Sequence, residues 1–251
     1  MGTYLVDVEE MRAALELINP RIKKNTTIET PDTLGQEYLY HIAMDQRTRL
    51  YPNISKRAGS SEDNTLPRVH MGLNLMNCWF GYASGGEMAA NYKVETTNKK
   101  VAATSNKSAA YKGGFYIHRV HFRGCLAPNT QLVYDTDFTQ EQWLFTYNTM
   151  TVAFPAEVVG LMFTHSVAFY PRTGKMPVEV TTICLKVERG MELHFAAINK
   201  WYKASKDVPK IVKEGFYQFE ISTQYGVRDF KAIKEREFND NKLRAAGLLS
   251  F

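Results

Sequence analysis

The sequence predicts an α+β protein, mostly antiparallel sheet with a helix at each end. Three observations carry that expectation. Apolar residues recur at helical spacing near both termini, at Val8, Met11, Leu15 and Ile18 and again at Phe230, Ile233 and Phe238. Between them lie runs that alternate with period two and are bounded by turn residues. Aromatics make up 12% of the chain, with 14 Tyr and 14 Phe, a composition that suits strands and stacking surfaces. A chain of 251 residues is long enough to bury a substantial core. The reading is one domain over 1–251, with a mixed α/β sub-part over 1–150 and a β-rich sub-part over 151–251 that ends in the helix.

The first helix starts at Asp7, which stands three residues before Glu10 in a capping-box pattern, and Asn19-Pro20 ends it. Residues 21–31 read as a polar linker. Tyr38 to Ala43 is a strand by its aromatic content, and Leu50-Tyr51-Pro52 opens a loop. Pro67 to Met71 is a short strand, followed by a helix through Leu73, Met76, Asn77 and Phe80. Phe115 to Arg123 alternates as a strand. Leu132-Val133-Tyr134 and Trp143 to Tyr147 are further strand candidates, while the apolar stretch 149–164 fits strand or helix equally. The pattern then turns frankly β. Ser166 to Tyr170 is a strand, Val178 to Val187 a long one, Glu188-Arg189-Gly190 a turn, and Leu193 to Ala197 its return. Phe216 to Ile221 is another strand, and Arg228 to Gly247 the closing helix.

Charge is concentrated in one window. Between Lys93 and Arg123 seven basic residues face one acid, Glu95, giving +6, whereas the whole chain carries +5. Everything outside the window therefore sums to −1. The window begins in Asn, Thr, Ser, Ala and Lys, then runs through Tyr111 and Gly113-Gly114 into the aromatic strand. Lysines neutralise phosphates and aromatic faces stack bases, so this arrangement suits a polyanion. The electrostatic candidates are Lys93, Lys99, Lys100, Lys107, Lys112, Arg119 and Arg123; the stacking candidates are Tyr92, Tyr111, Phe115 and Tyr116. A lysine-bearing surface loop next to an edge strand guarded by charges explains the same residues. A weaker basic and aromatic stretch lies at Lys200 to Lys213.

Several chemistries lack their motifs. Cys78, Cys125 and Cys184 are widely spaced, which gives no disulfide framework and no CxxC; they read as small buried hydrophobes in a reducing compartment. His118 and His121 fall on opposite faces of a strand, so no metal site is expected, and no HExxH, GxSxG or phosphate loop occurs. No cofactor is expected either. With no long apolar run and an acidic N-terminus, the expected location is the cytoplasm, away from membrane.

Two resemblances add to this. The segments Tyr40-His41, Leu50-Tyr51-Pro52, Glu62 to Val69 and Glu141 to Leu144 resemble small phage-encoded proteins with a reduced ADP-ribosyltransferase-like fold, over about residues 38–147. That resemblance implies His41 as a strand histidine holding a nicotinamide dinucleotide and Glu141 near the catalytic glutamate. The Ser-Thr-Ser strand and the Glu-x-Glu pair of such enzymes are missing, since Gln140-Glu141-Gln142 supplies one acid. The chain as a whole, in size, basic window and aromatic β-rich second half, resembles the single-stranded-DNA-binding transcription cofactors of N4-related bacteriophages. This implies an early phage protein in the infected bacterial host, with single-stranded DNA and the phage RNA polymerase as partners and homo-oligomers along the strand. The expectation is thus a non-enzymatic, sequence-tolerant single-stranded-DNA-binding protein. The alternatives are an ADP-ribosyltransferase-like enzyme and a phage structural protein.

Overall fold

The first helix obeys its apolar spacing. In the computed structural model, which describes residues 8–54, 63, 65–84, 110–133, 136–146, 153–169, 178–196, 208–222 and 226–245, α1 (Val8–Leu17) buries Met11, Ala14 and Leu15. Its stop signal is also a start. Pro20 occupies the first turn of α2 (Pro20–Lys24), and the Asn19 side chain accepts from the Arg21 amide at 2.9 Å. The expected linker over 21–31 is therefore structured, as α2 followed by β1 (Thr26–Glu29) and α3 (Pro31–Leu34). Thr30 and Thr33 cap α3 reciprocally, and Gly35 ends it at φ 65°.

The chain divides into two compact units, 1–85 with 117–158 and 86–116 with 159–251.

In the first unit, β2 (Tyr38–Ala43), β3 (Arg49–Leu50) and β4 (Val69–Met71) are followed by α4 (Leu75–Ser84). After the excursion through the second unit come β6 (Cys125–Pro128), α5 (Thr136–Thr139), β7 (Gln142–Leu144) and β8 (Phe154–Pro155). An antiparallel sheet of order β1–β6–β7–β4 results. Its core gathers Met11, Ile22, Leu39, Leu126, Phe122, Trp143 and Phe145. Each large apolar side chain so buried contributes about 1.5–3 kcal/mol. Leu132 and Val133, expected in a strand, sit in a turn in which both amides bond the Asn129 carbonyl at 3.0 Å. Their burial, 0% and 1% exposed, shows that the apolar run marked core, with no strand attached.

The second unit is built on long antiparallel strands in the order β12–β11–β10–β9, namely β9 (Glu157–Phe169), β10 (Val178–His194), β11 (Ile211–Ser222) and β12 (Gly226–Ala232). β5 (Ala110–His121) starts in this unit and ends in the first. The apolar stretch 149–164 thus resolves into strand from Glu157 onward.

Two expectations fail here for stated reasons. Glu188-Arg189-Gly190 does not reverse the chain. Gly190, at φ 73°, accommodates an irregularity inside β10, because Val187 pairs with Gly215 and Glu192 with Lys213 of the same neighbour. The closing helix also begins late. Residues 226–232 are strand, and only α6 (Glu235–Ala245) is helical. Phe230 packs as a strand residue against Phe195, Tyr217 and Phe219, at centroid distances of 5.0, 5.3 and 5.9 Å. Phe238 of α6 is buried against Phe163 and Phe216. Among the described residues no helix is long and apolar enough to cross a membrane.

Candidate functional site

Strand register assembles the most polar part of the first unit. Val69 and Met71 point into the core, so His70 points to the other face of β4. His70 stands opposite Trp143 of β7, and Glu141, two residues before Trp143, shares that face as a diagonal neighbour. The result is a carboxylate–imidazole pair. His70 Nδ1 donates to Glu141 Oε1, and the Trp143 indole Nε1–H donates to the same oxygen at 2.5 Å. Glu141 retains only 15% of its side-chain exposure. Burial works against its charge, but His70, the Trp143 N–H and the more distant Arg68 outweigh it, so the carboxyl titrates below the ordinary range. His70 Nε2 is buried and makes no hydrogen bond within the protein.

A second layer lies behind Trp143. Arg68 is 0% exposed, and its guanidinium carbon sits 3.9 Å from the centre of a Trp143 ring. Its Nη1 donates to the Asp63 carbonyl at 2.9 Å, the Leu66 carbonyl at 3.0 Å and the Asp63 carboxylate at 3.2 Å. Asp63 also accepts from the Leu66 and Thr65 amides at 2.9 and 3.1 Å and from the Thr65 hydroxyl at 2.7 Å. Burial raises the Asp63 pKa, but these donors together with Arg68 bring it below its usual value.

Two further histidines adjoin the pair. His41 Nδ1 donates to the His70 carbonyl at 2.9 Å, which fixes the tautomer with a lone pair on Nε2. Burial lowers His41 from 6.5 to about 4; the bond to the His70 carbonyl opposes this, and the charges of His118, Arg47 and His70 add to it. The His118 ring, 6.3 Å from that of His41, is fully buried, and its Nε2 accepts the Arg47 amide at 3.0 Å. Burial lowers His118 as well. Arg47 is paired with Asp45 at 2.8 Å.

His41 and Glu141, 100 positions apart in the chain, are thus linked through one residue, His70. Sequence reading named the first two and passed over His70, Trp143 and Arg68. The signal was there in the alternation Arg68-Val69-His70-Met71, which puts both polar residues on one face.

The nucleic-acid candidates fare differently. Tyr92, Lys93, Lys99, Lys100 and Lys107 lie outside the described residues, and of Tyr111 and Lys112 only the backbone, in β5, is described. Phe115 is 1% exposed, so its ring is core and has no face to offer a base; as a stacking residue it is corrected. Tyr116 is half-buried. Arg119 lies 4.4 Å over the Tyr38 ring and bonds Glu157 at 2.8 Å, so its charge is already matched. Arg123 is exposed.

The cysteines are inert as nucleophiles. Burial pushes Cys78 up to about 12, against bonds from the Gly72 and Cys78 main chain, and its Sγ donates to the Tyr40 carbonyl at 3.1 Å. Among the described residues no group of His, Cys, Asp and Glu is arranged to hold a metal ion. Comparison with known proteins brings no relative. No family model, curated protein or solved structure matches this chain.

Proposed function

We propose that the first unit binds a nucleotide-type ligand and exchanges a proton with it at His70 Nε2, with Glu141 holding the imidazole in place. The observation that carries this reading is the His70–Glu141 pair itself: Nδ1 is occupied by a carboxylate, and the opposite nitrogen, itself buried, has no hydrogen-bond partner within the protein. An imidazole oriented in this way is the usual general acid–base device. His41 Nε2, a fixed acceptor beside it, is a second contact for the ligand. The resemblance to ADP-ribosyltransferase-like proteins supplies a reaction class, transfer of ADP-ribose from a nicotinamide dinucleotide. In that reaction the glycosidic bond to nicotinamide breaks, a bond from the acceptor nucleophile to the ribose carbon forms, and the proton of the nucleophile passes to His70 Nε2.

Labelled dinucleotide incubated with the protein and a bacterial extract tests the proposal. Label transfer is expected, falling about a hundredfold or more in Glu141→Gln and in His70→Asn. Unchanged transfer in both variants, or none with wild type, overturns it.

A second reading rests on charge. Residues 86–116 with 159–251 carry 20 basic against 12 acidic side chains, net +8, and residues 1–85 with 117–158 carry 11 against 14, net −3. A cationic second unit favours single-stranded DNA binding of the kind found in phage transcription cofactors, with self-assembly along the strand and a phage RNA polymerase as partner. A fluorescent oligonucleotide that bound Lys99→Ala/Lys100→Ala/Lys107→Ala as tightly as wild type in low salt would remove the basic window from this reading.

A further inference from the structure

We infer that Arg68 and Trp143 are positioning residues for the His70–Glu141 pair, acting as a stacked column that fixes the carboxylate; the inference rests on the reading of that pair as the working site. A fully buried guanidinium is costly, since several kcal/mol of hydration are lost per ion. Holding Asp63 and Leu66 accounts for Nη1, whose three bonds all go to those two residues. It does not account for the guanidinium carbon lying over a Trp143 ring, 3.9 Å from its centre. Stacking there restricts rotation of the Trp143 ring, whose Nε1–H is the second donor to Glu141 Oε1. Two N–H groups converging on one oxygen leave the carboxylate a single orientation, and that orientation keeps His70 Nδ1 occupied. The cation also favours the ionised form of Glu141.

The column therefore joins a loop anchor at Asp63 to the acid–base pair through Arg68, Trp143 and Glu141 in turn. A merely structural Arg68 would support the loop and leave the state of the pair alone.

Three full-length variants separate these roles. Trp143→Phe keeps a ring beneath Arg68 and removes the N–H; Arg68→Lys keeps the charge without the plane; Arg68→Met keeps bulk without charge. The readouts are the ¹³C carboxyl titration of Glu141, the ¹⁵N tautomer signature of His70, and dinucleotide transfer. In Trp143→Phe the Glu141 titration is expected to move to higher pH, the His70 spectrum to show a mixture of tautomers, and transfer to slow about tenfold with KM unchanged. Arg68→Met is expected to do the same more strongly, and Arg68→Lys to recover the titration but not the single tautomer. Wild-type titration and tautomer in folded Trp143→Phe would overturn the inference even if Arg68→Met failed to fold. Altered spectra alongside transfer that survives in Glu141→Gln would instead uphold the column and overturn the proposed reaction.

Discussion

His41 contributes to the pH response of the first unit. Its folded value of about 4 lies below the ordinary 6.5, so between those pH values the unfolded chain takes up a proton that the folded chain refuses. The stability this residue contributes is complete above pH 6.5 and is lost as pH falls toward 4, a change on the order of 3 kcal/mol. His118, in the same unit, is shifted the same way, so it steepens the fall. Asp63 and Glu141, whose carboxyls are lowered, lose their contributions only at more acidic pH. Urea midpoints at pH 7.5 and 4.5 should therefore differ markedly, and His41→Asn should shrink the difference; an unchanged gap in that variant would mean that another group is responsible. Asp63→Asn is expected to cost about 3–5 kcal/mol in the same assay, because it breaks the buried ion pair between Asp63 and Arg68.

At the scale of elements, two glycines separate crowding from backbone conformation. A Cβ on Gly72 would meet Cys78 Sγ at 2.7 Å and the Cys78 amide at 2.9 Å, where β4 gives way to α4 and Cys78 bonds back to β2. Backbone cannot yield there as a flexible side chain can. Gly72→Ala is expected to lower stability by about 1–3 kcal/mol and, through the Tyr40–Gly72 bridge, to loosen β2 beside His41. Gly190 has open space around its Cα but a φ of 73°, so Gly190→Ala should cost only the left-handed penalty, about 1–2 kcal/mol. Thermal melts of the two variants, read with the His41 and His70 NMR signals, test this. The site signals should move in Gly72→Ala and stay in place in Gly190→Ala.

For the whole molecule, the charge imbalance between the units gives the DNA-binding reading a quantitative form. About four neutralised phosphates on a single strand would give a slope of log affinity against log salt near −3, at about 0.7 per contact. Charge removal in the second unit should flatten that slope, whereas His70→Asn should leave it unchanged. A slope that responds to His70→Asn would place the contact with the first unit instead. The two readings are compatible, because the His70–Glu141 pair lies in the first unit and Lys93, Lys99, Lys100, Lys107 and Lys112 of the basic window belong to the second.

Local pattern was enough for the α+β class with mostly antiparallel strands, for α1, and for strands such as β2 and β11, because period and turn residues are properties of neighbours in sequence. The same pattern gave wrong boundaries at Phe230, at Gly190 and at Leu132-Val133, where packing partners decided the backbone. His41 and Glu141 could be named from the chain, but that His70 joins them, that Arg68 stacks behind Trp143 and that Phe115 is core depended on strand register. Register is set by which faces are buried together, and those faces come from segments as far apart as residues 41, 70 and 141. Composition therefore determined the charge and local pattern the class of this protein, and the tertiary fold alone decided which side chains meet.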